Sequence, residues 1–255
     1  MPDFRRNPRK IVAPKVMIIN FRPVSIPPNW RAAEDLAREY AKTMRTISAD
    51  TLVYQIVNIK NAKYFPVLED GRQYDDATWT QARQNDALAY RDSRGNYMMA
   101  NYTRIVQDFA LLQLVRDKII DEVWMFGGPY FGFYESRMVG RNALWCNAPG
   151  LETTGRRFVI MGFNYERDVK EMVHNFGHRA ESILGAQYGS LAYVNKLYGG
   201  QPTPPPANEF ETFLNTYGTT HRPPGGADYS QDEVAWVTKF KEDWFPPTAD
   251  PNKLA

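Results

Sequence analysis

Two of the three histidines in this 255-residue chain, His174 and His178, lie four positions apart in a stretch with helical spacing. This spacing places two imidazoles on one face of a helix, close enough to bind the same metal ion. Glu171 precedes His174 by three residues, and Glu181 follows His178 by three. At about 100° per residue the four side chains fall within an arc of roughly 80°. They form a continuous stripe of potential metal ligands, named here the His/Glu row.

The third histidine, His221, lies in the Pro- and Gly-rich stretch THRPPGGADYS, which can fold back over this helix. Three nitrogen or oxygen ligands plus a water molecule are typical of catalytic zinc, which activates the bound water. The sequence therefore predicts a metal-assisted hydrolase that binds zinc or another divalent metal. Its ligands are His174 and His178, with His221 or Glu181 completing the shell. Glu171 or Glu166 is the expected general base.

A solvated or merely structural helix surface is the alternative interpretation of the His/Glu row. Asn175 occupies the position where the zinc-protease signature has its glutamate, so any metal site here differs from that family's site. Gly177 weakens the helix before His178, and a glycine inside a helix indicates a packing or close-approach requirement. The apolar residues of the same stretch predict a buried face opposite the row: Val169, Met172, Val173, Phe176, Ala180, Ile183 and Leu184.

A pair of carboxylates gives a second hypothesis. Glu135 follows the aromatic run PYFGFY, and Glu166 follows an apolar strand-like run. Two carboxyl groups beside aromatic rings suit glycoside cleavage without a metal. The rings expected to stack on sugars are Tyr130, Tyr134 and Trp145. A third hypothesis is a carbohydrate- or partner-binding module that uses these aromatic loops without turnover.

The elements that position these residues alternate between strands and helices. Apolar runs predict strands at 15–21, 51–59, 122–128 and 157–163, and helical spacing predicts helices at 31–47, 102–120 and 167–186. The alternation predicts a three-layer α/β fold, with a mostly parallel sheet flanked by helices. Ligands bind beyond the carboxyl ends of such strands, where Arg22, Tyr130 and Asn164 are the expected substrate contacts.

The proline cluster at 201–208 predicts a boundary in the chain. We expect an α/β core domain at residues 1–200 and an irregular extension at residues 201–255, packed on the core and containing a helix near 230–241. The last three residues, 253–255, are typical of a vector-encoded linker. A leader can therefore have been removed, and the expected compartment stays open between secreted and cytoplasmic.

Composition excludes several classes of protein. The 31 basic and 29 acidic residues are too balanced to drive binding to nucleic acid or anionic membranes. No run approaches the roughly 20 apolar residues of a membrane span. The single cysteine, Cys146, rules out an internal disulfide and a cysteine-based zinc cluster. Without a glycine-rich phosphate loop, nucleotide binding is not expected, and the expected partner is a small-molecule or glycan substrate.

Two stretches, EVWMFGGPYFGFYES at 122–136 and RFVIMGFNYERDVKEMVHNFGHRAES at 157–182, resemble those of a group of bacterial proteins. The resemblance extends loosely to the loop around His221 and to DWFPP at 243–247. It indicates one common domain. No activity is established for that group, so the resemblance implies no role for the histidines.

Overall fold

The chain divides into two compact units, Met1–Phe176 and Gly177–Ala255. The structure is a computed structural model that describes residues 10–221. The helix expected near 230–241 and the DWFPP segment lie outside the described residues. The predicted boundary at 201–208 stays a prediction.

The described part of the first unit contains one six-stranded sheet in the order β2-β1-β3-β6-β4-β5. Its first four strands in this order run parallel, β4 is antiparallel to β6, and β5 is parallel to β4. The predicted α/β class with a mostly parallel sheet is confirmed, and the three-layer arrangement stays a prediction. The strand bounds are β1 (Lys15–Phe21), β2 (Gln55–Ala62), β3 (Glu122–Gly127), β4 (Ser136–Gly140), β5 (Leu151–Glu152) and β6 (Phe158–Asn164).

The central strands are apolar along nearly their whole length because both of their faces are buried. All six residues of β3 are buried, as are six of the seven in β1 and in β6. In register, Trp124 lies between Ile18 of β1 and Met161 of β6. Its indole donates a hydrogen bond of 2.8 Å to the buried carboxylate of Glu122. Continuous apolar runs of this kind are the feature of the sequence that predicts these strands.

The pattern of apolar residues does not reveal the short strands of the sheet. β4 has five residues and β5 has two, too few for an alternation of polar and apolar residues to be distinct. The sequence therefore does not predict these two strands. β4 follows the aromatic run and returns antiparallel beside β6, pairing Ser136 with Met161.

The predicted helix at 102–120 is wrong as one continuous element. Ala110 adopts a left-handed backbone with φ of 51°, which separates two short helices. The apolar positions with helical spacing continue across this break, so the sequence reads as a single helix: Ile105, Phe109, Leu112 and Val115. The helices of the first unit are α1 (Ala33–Ile47), α2 (Asp76–Gln84), α3 (Tyr102–Asp108) and α4 (Leu111–Arg116).

Helix α5 (Val169–Gln187) begins in the first unit and ends in the second. The described part of the second unit continues with α6 (Leu191–Tyr198) and α7 (Glu209–Tyr217). The side chain of Asn208 caps α7 by accepting from the Glu211 amide at 2.9 Å. A small core of Tyr193, Val194, Phe210 and Leu214 joins α6 to α7, with Leu197 and Tyr198 packed against it. Among the described residues, no helix has the length and apolar character needed to cross a membrane.

Two glycines of the first unit allow the cost of backbone strain to be measured apart from the cost of overpacking. Both have positive φ, +85° at Gly71 and +74° at Gly132, but only at Gly132 would a Cβ meet other atoms, 2.4 Å from the Ala100 amide nitrogen. We expect Gly71→Ala to lower the free energy of unfolding by about 1–2 kcal/mol, the cost of a left-handed alanine. Gly132→Ala adds overpacking and should cost roughly 2–5 kcal/mol in total. Urea unfolding of both variants measures the difference, and equal losses would contradict this account.

Candidate functional site

Helix α5 buries part of the His/Glu row. His178 is 6% exposed and Glu181 is 8% exposed, whereas Leu184 of the predicted apolar face is 41% exposed. The interpretation of the row as a solvated surface is therefore wrong for His178 and Glu181. The predicted apolar face is wrong at Leu184. The reason is that Tyr198 and the segment at residues 219–221 lie against these two polar side chains.

His178 and His221 form the centre of this arrangement. Their Nε2 atoms are 2.8 Å apart, and their rings meet edge to face with centroids separated by 4.4 Å. The loop that carries His221 therefore folds back onto α5, as the sequence predicts. Two imidazole nitrogens at this distance share a single proton or face a common cation.

The hydrogen-bond partner of Nδ1, the second ring nitrogen of His178, indicates which tautomer this histidine adopts. Nδ1 of His178 lies 3.1 Å from the hydroxyl of Tyr198, and that hydroxyl donates its proton to the carboxylate of Glu181. The tyrosine oxygen then accepts from Nδ1–H, since its own proton is already engaged. His178 Nε2 consequently carries a lone pair, and this lone pair points at His221.

Glu181 connects this chain of hydrogen bonds to the backbone of residues 219–221, which we call the returning segment. One carboxylate oxygen accepts from Tyr198, and the other accepts from the Thr220 amide at 2.7 Å. Among the described residues, both oxygens of Glu181 are thus engaged by protein groups. The structure favours a supporting position for this carboxylate over the predicted direct coordination of a metal.

Gly177 explains the irregularity in the sequence of α5. A Cβ at this position would lie 2.8 Å from Oγ1 of Thr220. Thr220 precedes His221, so the missing side chain lets the returning segment approach the helix. The predicted close-approach requirement is confirmed.

Burial changes the acidity of Glu181. Desolvation raises the pKa of this carboxyl group to about 7, and hydrogen bonds from Thr220 oppose the rise. The carboxyl group therefore changes its charge near neutral pH. A group in this range can exchange a proton under ordinary conditions.

His174 and Glu171 lie on the preceding turns of α5. His174 is half-buried, and its ligand nitrogen is within 4.8 Å of that of His178. Glu171 accepts a hydrogen bond of 3.0 Å from Arg167. The helix presents the two imidazoles one turn apart, as the spacing predicts, while Glu171 is held in an ion pair.

A separate cavity of about 430 Å³ lies in the first unit, beyond the carboxyl ends of β3 and β6. This is where ligands bind in parallel α/β sheets, and the volume suits a small organic molecule. Its aromatic and polar lining includes Tyr97, Tyr130, Phe131, Phe133, Glu135, Phe163, Asn164, Arg167, Glu171 and Asn175.

Glu135 is the half-buried acid of this cavity. Burial raises its pKa above the ordinary value, while the charges of His174 and Arg167 act in the opposite direction. Its Oε2 accepts from the Asn147 amide at 2.9 Å. Glu171 lines the same cavity, so the structure brings Glu135 together with Glu171.

Tyr130 is held in a strained conformation at this cavity, with φ of 64°. Its hydroxyl donates to Asp86 at 3.0 Å, and burial, followed by the Asp86 carboxylate, raises the pKa of Tyr130 to about 12. Left-handed backbone at a bulky residue costs energy and occurs most often at functional sites.

The remaining predicted residues have other surroundings. Glu166 pairs with Arg83 at 3.3 Å and is not among the residues lining the described cavity. Arg22 donates to the carbonyl of Trp30 at 3.1 Å, and Trp145 is 56% exposed. Tyr134 packs beside Tyr102. Of the predicted substrate contacts, the structure brings together Tyr130 and Asn164.

Sequence reasoning misses Tyr198 and Thr220. Tyr198 lies twenty residues beyond His178, on a different helix, and contributes a hydroxyl that no motif marks. Thr220 contributes a backbone amide, which every residue except proline has. The one available signal for this contact is Gly177, whose partner the sequence does not reveal.

No protein-family model, curated protein or solved structure matches this chain.

The raised pKa of Glu181 predicts a pH-dependent stability. Its folded-state pKa of about 7 exceeds the ordinary 4.5. Between pH 4.5 and pH 7 the folded chain therefore holds a proton on Glu181 that the unfolded chain has released. Stability should therefore fall as pH rises from about 4.5 to about 7, by about 3 kcal/mol from this group. Urea unfolding at pH 5 and pH 8, with a chelator present, measures the loss. In Glu181→Gln the loss should shrink by the same amount, and an unchanged loss would contradict the burial argument.

Proposed function

We propose that this protein is a metal-assisted hydrolase whose metal ion, zinc by its ligand chemistry, is bound by His178, His221 and His174. The observation that carries the proposal is the approach of the two Nε2 atoms of His178 and His221 to 2.8 Å. Imidazole nitrogen is a preferred ligand of zinc, and three protein ligands leave a fourth position for water.

The histidine content of the chain supports this proposal. The chain has three histidines among 255 residues. His174 and His178 are one helical turn apart, and His221 reaches His178 from a distant part of the sequence. A structural imidazole needs one or two hydrogen-bond partners and has no requirement for other imidazoles.

The distance between the rings indicates what metal binding requires. Zinc–nitrogen bonds of about 2.0–2.1 Å at tetrahedral angles place two ligand nitrogens about 3.3 Å apart. The observed 2.8 Å is the length of an N–H···N hydrogen bond. Binding would therefore displace the shared proton and separate the rings by about half an ångström. That proton can move to Nδ1 of His221, since a neutral imidazole carries its single N–H on either ring nitrogen.

The reaction class follows from the ligand set. A zinc ion held by these histidines, with a position left for water, would lower the pKa of that water to about 7 and would supply a nucleophile for attack on a carbonyl or phosphoryl group. Glu171, one turn before His174, is the general base that the sequence predicts for that water, although the structure places it in the lining of the cavity of the first unit. Its carboxylate accepts a hydrogen bond of 3.0 Å from Arg167.

Metal content tests the ligand set. Protein purified without a nickel column should contain about one zinc per chain, and His178→Ala less than about a tenth of that, because an open site loses most of its affinity with one ligand. Elemental analysis of both proteins measures the difference. Gln187→Ala, an exposed change on the same helix, is the matched control and should keep full occupancy.

Hydrolysis of chromogenic carboxylate and phosphate esters tests the reaction. Activity should be lost with chelator, return with added zinc, and be lost in His178→Ala. Absence of stoichiometric metal in the wild-type chain, after purification and after incubation with zinc, would sink the proposal.

A second candidate function is supported by a different observation, the cavity of the first unit. Glu135 with its raised pKa is suited to donate a proton to a leaving group, and Glu171 is suited to act as the carboxylate partner. Aromatic side chains in the lining, Tyr130 among them, suit the faces of a sugar ring. In this candidate the pair is Glu135 with Glu171, in place of the predicted Glu135 with Glu166.

Polysaccharide cleavage in the presence of chelator tests this candidate. Glu135→Gln should lower kcat by about 100-fold or more, the usual contribution of a general acid. Glu166→Gln, whose carboxylate is paired with Arg83, is the matched control and should leave kcat unchanged. Cleavage that persists in Glu135→Gln would exclude the candidate. Saturable glycan binding without product would indicate a binding module instead.

A further inference from the structure

We infer that Glu181 is a positioning residue that sets the orientation of both His178 and His221 at once. The inference rests on the proposed metal site and assigns Glu181 a place behind its ligands. Each of its two carboxylate oxygens supports a different histidine.

The first oxygen acts through Tyr198. It accepts the tyrosine proton, which leaves the tyrosine oxygen to accept from His178 Nδ1 at 3.1 Å. A histidine that donates through Nδ1 has its lone pair on Nε2 and is fixed in ring orientation. The direction of this chain of hydrogen bonds depends on Glu181 being an acceptor.

The second oxygen acts through the backbone. It accepts from the Thr220 amide at 2.7 Å, directly before His221. Thr220 also packs against Gly177, where a Cβ would come within 2.8 Å of its hydroxyl oxygen. The hydrogen bond and this contact hold the segment that carries His221 against the helix turn that carries His178.

An amide cannot replace this carboxylate in either orientation, which makes the near-isosteric variant Glu181→Gln an informative test. If the introduced amide directs its oxygen to Tyr198, its NH₂ group faces the Thr220 N–H, donor against donor. If it directs its NH₂ group to Tyr198, the tyrosine donates to Nδ1 of His178. The proton of that imidazole then moves to Nε2, where it blocks a metal.

Cobalt binding to the full-length chain, freed of metal with chelator and desalted, measures the effect. Visible absorption bands of Co²⁺ report the number and type of its ligands, so a titration gives affinity and coordination together. We expect Glu181→Gln and Tyr198→Phe each to weaken Co²⁺ binding by about 10–100-fold, the usual effect of losing a group that orients a metal ligand.

The exposed pair of Tyr188 and Glu209 provides the matched control. The Tyr188 hydroxyl donates to Glu209 at 2.5 Å in the same unit, on the surface. Glu209→Gln should bind Co²⁺ like the wild-type chain. Nitrogen-15 NMR of the imidazole rings adds a readout that a general loss of stability would not move. The His178 tautomer should be Nδ1–H in the wild-type chain and altered in Glu181→Gln and Tyr198→Phe.

The outcomes separate this inference from the proposed function. Wild-type chain that binds Co²⁺, with both variants within about twofold of it and an unchanged tautomer, overturns the role of Glu181 and leaves the metal site standing. Wild-type chain that binds no Co²⁺ overturns both. If Glu181→Gln does not fold, Tyr198→Phe decides the matter by affinity and tautomer, since it leaves the carboxylate in place.

Discussion

The described part of the second unit is organised around the desolvation of one carboxyl group. Glu181 loses its water on burial, and a buried carboxylate must find hydrogen-bond donors within the protein. The donors come from Tyr198 on α6 and from the Thr220 amide on the returning segment. Satisfying this one group therefore brings three separate parts of the chain together, and the two histidines meet as a consequence.

The first unit uses burial differently. Its central strands are buried on both faces, and a cavity forms beyond β3 and β6. Glu135 is retained at this cavity although burial disfavours its charge. Tyr130 is retained there in a backbone conformation that costs energy. Both features support the proposed ligand-binding role of this cavity.

The sequence predicts what depends on periodicity and misses what depends on single distant contacts. The long apolar runs of β1, β3 and β6 and the helical spacing of α1 and α5 are visible without coordinates. The break at Ala110 is not visible, because apolar residues keep their helical spacing across it. The row of histidines is likewise visible. The burial of His178 is not visible, because helix periodicity assigns polar side chains to the surface unless a second segment covers them.

The close approach at Gly177 couples two distant positions in the sequence. Thr220 occupies the space that a side chain at position 177 would need. A relative that carries alanine or serine at position 177 must therefore turn the side chain at position 220 away, carry a smaller residue there, or move its returning segment away from the helix. The residue types at the two positions should consequently vary together during evolution.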